Sequence, residues 1–373
     1  MHTRRRSSPS RWIAAAGLLL TLAGCATTVA GTPVAEQGPN AATSGSAAAS
    51  TSTSGAAPKT GTKSSPGQDA GAAAHAVMRK VDPCALHSPE AAAKVTGMQP
   101  DEIMPGTSLN ACDVELTPGP LQLATWTLTA TVGVDLDEGR RQEATQEQIA
   151  DIAFFKLPAP GGAAAADDRS CSYVMGFGTD TGIELRVRRS STEAQPKTPC
   201  QVATAYLAEV GKYWKEPATR SDKVTSPTLR IADLDPCAGL DALADALGGP
   251  IRTRTSDPFS CTVSPATPGA KPGLSGLVTT EVGIDTDPRA LIGNPAAKDY
   301  KAMTVAGKPG VASEMRGAKG NTCSLTVIAD EDVALQADQS KPDAQKSYQV
   351  VETRAETCEL ASKAAEVLLA SLR

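Results

Sequence analysis

Aromatic residues make up only 3% of this 373-residue chain, and histidine occurs three times. One histidine, His2, lies at the extreme N-terminus; the others are His75 and His87. A His-rich zinc site is therefore excluded, and so is a Ser-His or Cys-His nucleophile pair made within the C-terminal half. Few aromatics disfavour a broad stacking surface for sugars. No CxxC motif is present, which argues against disulfide-exchange chemistry. Basic residues are not in excess: Lys and Arg total 36 against 41 Asp and Glu, for a net charge of −5. Nucleic acid is thus not an expected partner, nor is a polybasic attachment to anionic lipid. No glycine cluster fits a phosphate or dinucleotide loop; Gly161-Gly162 and Gly176-Phe177-Gly178 read as turns. No apolar run reaches the roughly 20 residues a spanning helix needs. The longest, Trp12 to Leu22, follows Arg4, Arg5, Arg6 and Arg11.

That leader has the layout of a secretory signal. It ends in Leu22-Ala23-Gly24-Cys25, which resembles the bacterial lipobox. The resemblance implies cleavage before Cys25 and acylation of its thiol with palmitate-type chains. Several acyl chains hold a protein stably on a bilayer where one chain does not. Loss of residues 1–24 removes four arginines and no acids, so the mature chain carries −9. Residues 25–77 are almost entirely Ala, Ser, Thr, Gly and Pro, a composition unable to offset its own ordering entropy. We expect a disordered tether with a typical reach of about 40 Å. On this reading His75 belongs to the tether, and only His87 belongs to a folded region, as a surface or capping residue.

The remaining eight cysteines form two sets: Cys84, Cys112, Cys171, Cys200, then Cys237, Cys261, Cys323, Cys358. Corresponding members are separated by 153, 149, 152 and 158 residues. Each set opens with Asp-Pro-Cys, at Asp82 and at Asp235, a sequence suited to a helix start. A short helix is expected after each, ending at Gly97 and at Gly248-Gly249. Trp126, Leu128, Ala130, Val132 and Val134 alternate with Thr127, Thr129, Thr131 and Gly133, the period of a half-buried strand. The run Asp151 to Leu157, with Phe154 and Phe155, reads as a core strand. Cys200, Ala203, Leu207, Val210 and Trp214 lie on one face of a closing helix, and Cys358, Ala361, Ala365, Leu368 and Leu372 match them at a constant offset of 158.

The fold class expected is α+β: two tandem homologous domains, each an antiparallel sheet with an opening and a closing helix, stapled by disulfides. The domains are placed at residues 78–215 and 231–373, joined by a linker at 216–230. An exported chain should pair its cysteines. Three pairings are open to each domain; we favour first with second and third with fourth, which pins each terminal helix to a strand.

Asp135 and Asp137, with Asp285 and Asp287, form an Asp-x-Asp in each half. They are weak metal candidates, since two carboxylates cannot fill a shell of six to eight oxygens. A solvated strand end is the favoured reading. No cofactor and no catalytic residue is assigned.

Together, Leu22 to Cys25, the Asp-Pro-Cys openings and the spaced cysteines resemble a family of actinobacterial cell-envelope lipoproteins that carry a domain of unknown function. Members often have Trp two places after the second cysteine; Val114 and Val263 stand there in this chain. The resemblance implies an extracytoplasmic location, on the outer face of the cell membrane. The function expected is a membrane-anchored, non-catalytic binding or accessory module. Its partners would be the membrane, through the anchor, and an envelope lipid, glycan or protein. The alternatives are an exported hydrolase using Ser and carboxylate chemistry, and a structural subunit docking a membrane complex. A buried Ser or Asp beside a deep cleft would favour the hydrolase.

Overall fold

The computed structural model describes residues 66–372 apart from 107, 120–122, 124, 159–168, 191–194, 223–228, 267–275, 295–298, 318–319 and 337–345. Cys25 and most of the expected tether lie outside the described residues. The described part belongs to one compact unit, Thr62–Arg373.

The first helix, α1 (Pro66–Met78), occupies what composition assigned to the tether. Its Ala-rich sequence favours helix locally, but docking is what orders its last turns. His75 and Met78 are 5% and 0% exposed. The chain then pairs with a distant segment: Val81 bridges Thr219, and Asp82 N–H donates to Ala218 O. Part of the expected 216–230 linker is therefore built into the fold.

Asp82 accepts from Cys84 N–H at 3.0 Å and starts a 3-10 turn, Pro83–Leu86. A helix, α2 (Pro89–Thr96), follows. Ser88 caps it by accepting from Ala91 N–H, Pro89 fits the first turn, and Gly97 at φ 73° ends it. Three strands come next: β1 (Gln99–Pro105), β2 (Ala111–Thr117) and β3 (Trp126–Asp135). A short helix, α3 (Glu138–Glu143), leads to β4 (Thr145–Ile149), β5 (Ile152–Lys156), β6 (Ser170–Phe177) and β7 (Thr181–Arg189). Helix α4 (Pro199–Lys215) closes the half with a full capping box between Thr198 and Gln201.

The second half runs β8 (Ile251–Asp257), β9 (Ser260–Pro265), β10 (Val278–Thr286), β11 (Tyr300–Val305), β12 (Lys308–Gly317), β13 (Gly320–Gln336), β14 (Lys346–Ala355) and α5 (Cys358–Ala370). Its expected opening helix is reduced to a 3-10 turn, Leu240–Leu243. Gly239 at φ 70° precedes that turn and no side chain caps it, so nothing nucleates an α-helix.

Both sheets are antiparallel and seven-stranded. The order is β1-β2-β3-β7-β6-β5-β4 in one and β8-β9-β10-β14-β13-β12-β11, read in the same direction, in the other. Two antiparallel sheets, few helices and four disulfides thus make up the described fold. The bridges are Cys84–Cys112, Cys171–Cys200, Cys237–Cys261 and Cys323–Cys358. They close loops of 24 to 35 residues, each worth about 3 kcal/mol in the chain-entropy picture.

The first core is aromatic. Trp214 and Tyr173 both pack edge-on against Phe154, with ring centroids 5.8 and 6.5 Å apart. His87 is buried beside it rather than at the surface. Its Nε2–H donates to Cys112 O at 3.1 Å, and Tyr206 O–H donates to its Nδ1 at 3.0 Å. Desolvation lowers the His87 pKa to about 4. The unfolded chain then takes up a proton that the folded chain refuses between pH 6.5 and 4. Stability is complete above that window and falls as pH drops through it, by about 3 kcal/mol in all. Thermal melts at pH 7 and pH 4.5 should show this loss in the native chain and a smaller one in His87→Gln. Equal acid sensitivity in both would remove His87 as the cause.

Candidate functional site

The two halves grip each other through the same element. The β1–β2 turn of the first half reaches β10, where Ser108 bridges Gly283. The β8–β9 turn of the second reaches β3, where Pro258 covers Gly133. A shift of 150 residues carries Ser108 to Pro258 and Gly133 to Gly283, so the contact is isologous within one chain. Leu109, 1% exposed, belongs to the core of the second half. Gly133 adopts φ 74°, and a Cβ there would lie 2.2 Å from Pro258 Cγ.

Two arginines lock this contact. Arg79 Nη1–H donates to Pro258 O at 3.1 Å, and its Nη2 lies 3.7 Å from Asp235 Oδ2. Arg220 is 8% exposed. It donates to Leu109 O and, from Nε at 3.4 Å, to Arg79 O. Its guanidinium sits 5.7 Å from the Phe259 ring centre. Burial pulls the Arg220 pKa down, opposed by Asp82 and Asp233.

Beside the lock is a polar cleft of about 420 Å³. Its walls come from α1 (Gly71, Ala72, His75), from Arg79, from the ends of β3 and β7 (Asp135, Asp180, Thr181), and from the second half (Asp235, Cys237, Thr253 to Ser256). α1 packs on β3, β7 and β8, which is how one helix comes to border both sheets. His75 Nδ1 is buried here without a hydrogen-bond partner. Desolvation lowers the His75 pKa and Asp257 and Asp135 oppose it, while Arg79 adds to the lowering. Burial raises Asp257. An orphaned nitrogen on a buried ring is costly to the fold.

The cleft's serine is engaged elsewhere: Ser256 Oγ bonds Ser260 Oγ at 3.2 Å. Asp257 accepts from Phe259 N–H at 2.8 Å. The site thus has a half-buried Asp beside a cleft, yet its Ser and His are not joined as nucleophile and base.

The two Asp-x-Asp pairs are divided between strand and turn. Asp135 lines the cleft, whereas Asp137 caps α3 by accepting from Arg140 N–H at 2.8 Å. Asp285 accepts from Thr286 N–H at 2.7 Å and borders a hollow shared with Glu281 and Glu352. Those two glutamates face each other across β10 and β14; burial first, then like charges, raises both. Asp287 caps the turn Pro288–Leu291 and pairs with Arg289 at 2.8 Å. Among the described residues no group of three or more His, Cys, Asp and Glu is placed to hold a metal. Nor is any described helix long and apolar enough to cross a membrane.

Sequence reasoning missed His75 and the cleft. The one usable signal was a histidine, followed by Val77 and Met78, at the end of an otherwise featureless Ala-rich segment.

The fold and site define a disulfide-stapled protein of two like sheets with a polar cleft at their junction. Residues 20–213 match the family described as Protein of unknown function (DUF3558), over half of the chain, and the chain belongs to that family. Neither a curated protein nor a solved structure matches it.

Proposed function

We propose that this chain is a lipid-anchored, extracytoplasmic binding module of an actinobacterial-type cell envelope. Its ligand is a small polar molecule held in the cleft between two tandem copies of the DUF3558-type domain. The observation that carries the reading is a polar cleft built by both halves and lined by His75, whose Nδ1 is buried without a partner. Neutral imidazole offers one donor or one acceptor there, and Arg79, Arg254 and three aspartates offer charges of both signs. That set suits a zwitterionic or hydroxylated ligand and supplies no activated nucleophile. The tandem reading is supported by the common strand order and by the matched positions of the four disulfides. Anchoring is supported by the basic and apolar leader ending in Cys25.

Native mass spectrometry of the protein extracted from its own membrane is expected to show a co-purifying small molecule, absent from His75→Phe. A ligand-free native chain, or a ligand retained unchanged by His75→Phe, would remove the cleft from the reading. The anchor has its own test. Cys25→Ala should shift the protein from the membrane fraction to the medium, or leave the leader uncleaved. A cleaved variant that stays wholly with the membrane would count against acylation.

A further inference from the structure

The two halves differ where their closing helices end. The shift of 158 residues that carries Cys200 to Cys358 also carries Gly211 to Leu369 and Trp214 to Leu372. The strands beside them correspond too. The turn between Ile149 and Ile152 has φ 51° and 61° at Ala150 and Asp151, and that between Val305 and Lys308 has 50° and 79° at Ala306 and Gly307. Ala150 thus answers to Ala306, and Ile152 to Lys308.

In the first half α4 closes down on this turn. A Cβ on Gly211 would lie 2.6 Å from Ala150 Cβ, so only glycine permits the approach. Trp214, fully buried, fills the space beyond, with Nε1–H donating to Leu86 O at 3.2 Å. In the second half Leu369 stands where glycine was, so α5 cannot approach as closely. Leu372 is smaller than indole and only partly buried. A pocket of about 170 Å³ is left, walled by Ile231, Ala306, Ala329, Leu369 and Leu372. A cavity of about 150 Å³ admits a benzene ring.

The polar groups at this pocket are also specific. Lys308 replaces the apolar Ile152 of the first half, and Arg230 joins it, against Asp330 as the one acid among the described lining residues. Arg230 Nη2–H donates to Leu372 O at 3.1 Å, which holds the guanidinium at the pocket. Gln349 is 6% exposed and its Oε1 accepts from Ile231 N–H at 3.0 Å, which fixes the amide at the pocket wall.

We propose that this pocket binds a small aromatic carboxylate, its ring taking the place that the Trp214 indole fills in the first half and its anion meeting Lys308 and Arg230. The site is separate from the cleft and does not depend on it.

Calorimetry on the full chain with indole-3-acetate and with tryptamine, the same ring bearing a cation, tests the idea. Binding of indole-3-acetate is expected, at least tenfold tighter than tryptamine. Leu372→Trp should refill the pocket and weaken indole-3-acetate at least tenfold while the melting transition is kept; if that variant does not fold, Ala306→Leu serves the same purpose. Lys308→Ile should lose most of the preference for the anion. No binding to the native chain, equal affinity for tryptamine, or full affinity after Leu372→Trp or Ala306→Leu would each overturn the proposal.

Discussion

Gly133→Ala is expected to destabilise the protein by about 3 kcal/mol and to loosen the junction of its two halves. Two costs combine. The residue sits at φ 74°, where a Cβ is strained by about 1 kcal/mol. That Cβ would also lie 2.2 and 2.3 Å from the Pro258 ring carbons, contacts that force β3 and the β8–β9 turn apart at about 1–3 kcal/mol. The costs separate experimentally. Gly97 has φ 73°, and a Cβ there would meet nothing within 4 Å, so Gly97→Ala carries the backbone cost alone. Denaturant melts should rank Gly133→Ala well below Gly97→Ala, and adding Pro258→Gly to Gly133→Ala should recover part of the difference. Equal losses in the two single variants would show that the halves do not press together at Gly133.

Arg220→Met should cost about 3–5 kcal/mol and uncouple the halves. Methionine keeps much of the apolar stem, so the loss falls on the guanidinium. Two buried carbonyls, Leu109 O and Arg79 O, would lose their donor, at about 1–3 kcal/mol each. The stacking over Phe259 adds about 1 kcal/mol more. The desolvation that lowers the Arg220 pKa shows that burying this cation is itself unfavourable, and its removal returns part of the loss. A melt that is a single transition in the native chain should broaden or split in two, with faster proteolysis between residues 216 and 230. A single unshifted transition would mean that Arg220 is not what joins the halves.

Much of each half was legible because its signals are local. Alternation from Trp126 to Val134 is a strand, and the chain forms β3 there. Cys200 and Cys358 open amphipathic helices, and α4 and α5 bury the face that the spacing marked. The disulfide pairs are the favoured first with second and third with fourth, each pinning an end element to a strand across one intervening strand of the chain. The errors were also physical. The opening helix of the second half is only a 3-10 turn, entered through Gly239 in a left-handed conformation with no side-chain cap. The tether was drawn too long because Pro66–Met78 has almost no amphipathic pattern of its own.

The amino-acid sequence by itself determined two like frames: paired cysteines, strand periodicity and closing helices, all set by contacts within one half. Only the tertiary structure decided the rest. α1 is ordered by the surfaces of β3, β7 and β8, so His75 becomes a buried group where composition showed a spacer. The cleft arises because residues some 180 positions apart, such as His75 and Thr255, are brought together by exchanged hairpin turns. Such pairings leave no periodic trace along the chain, because each partner's environment is supplied by the other half.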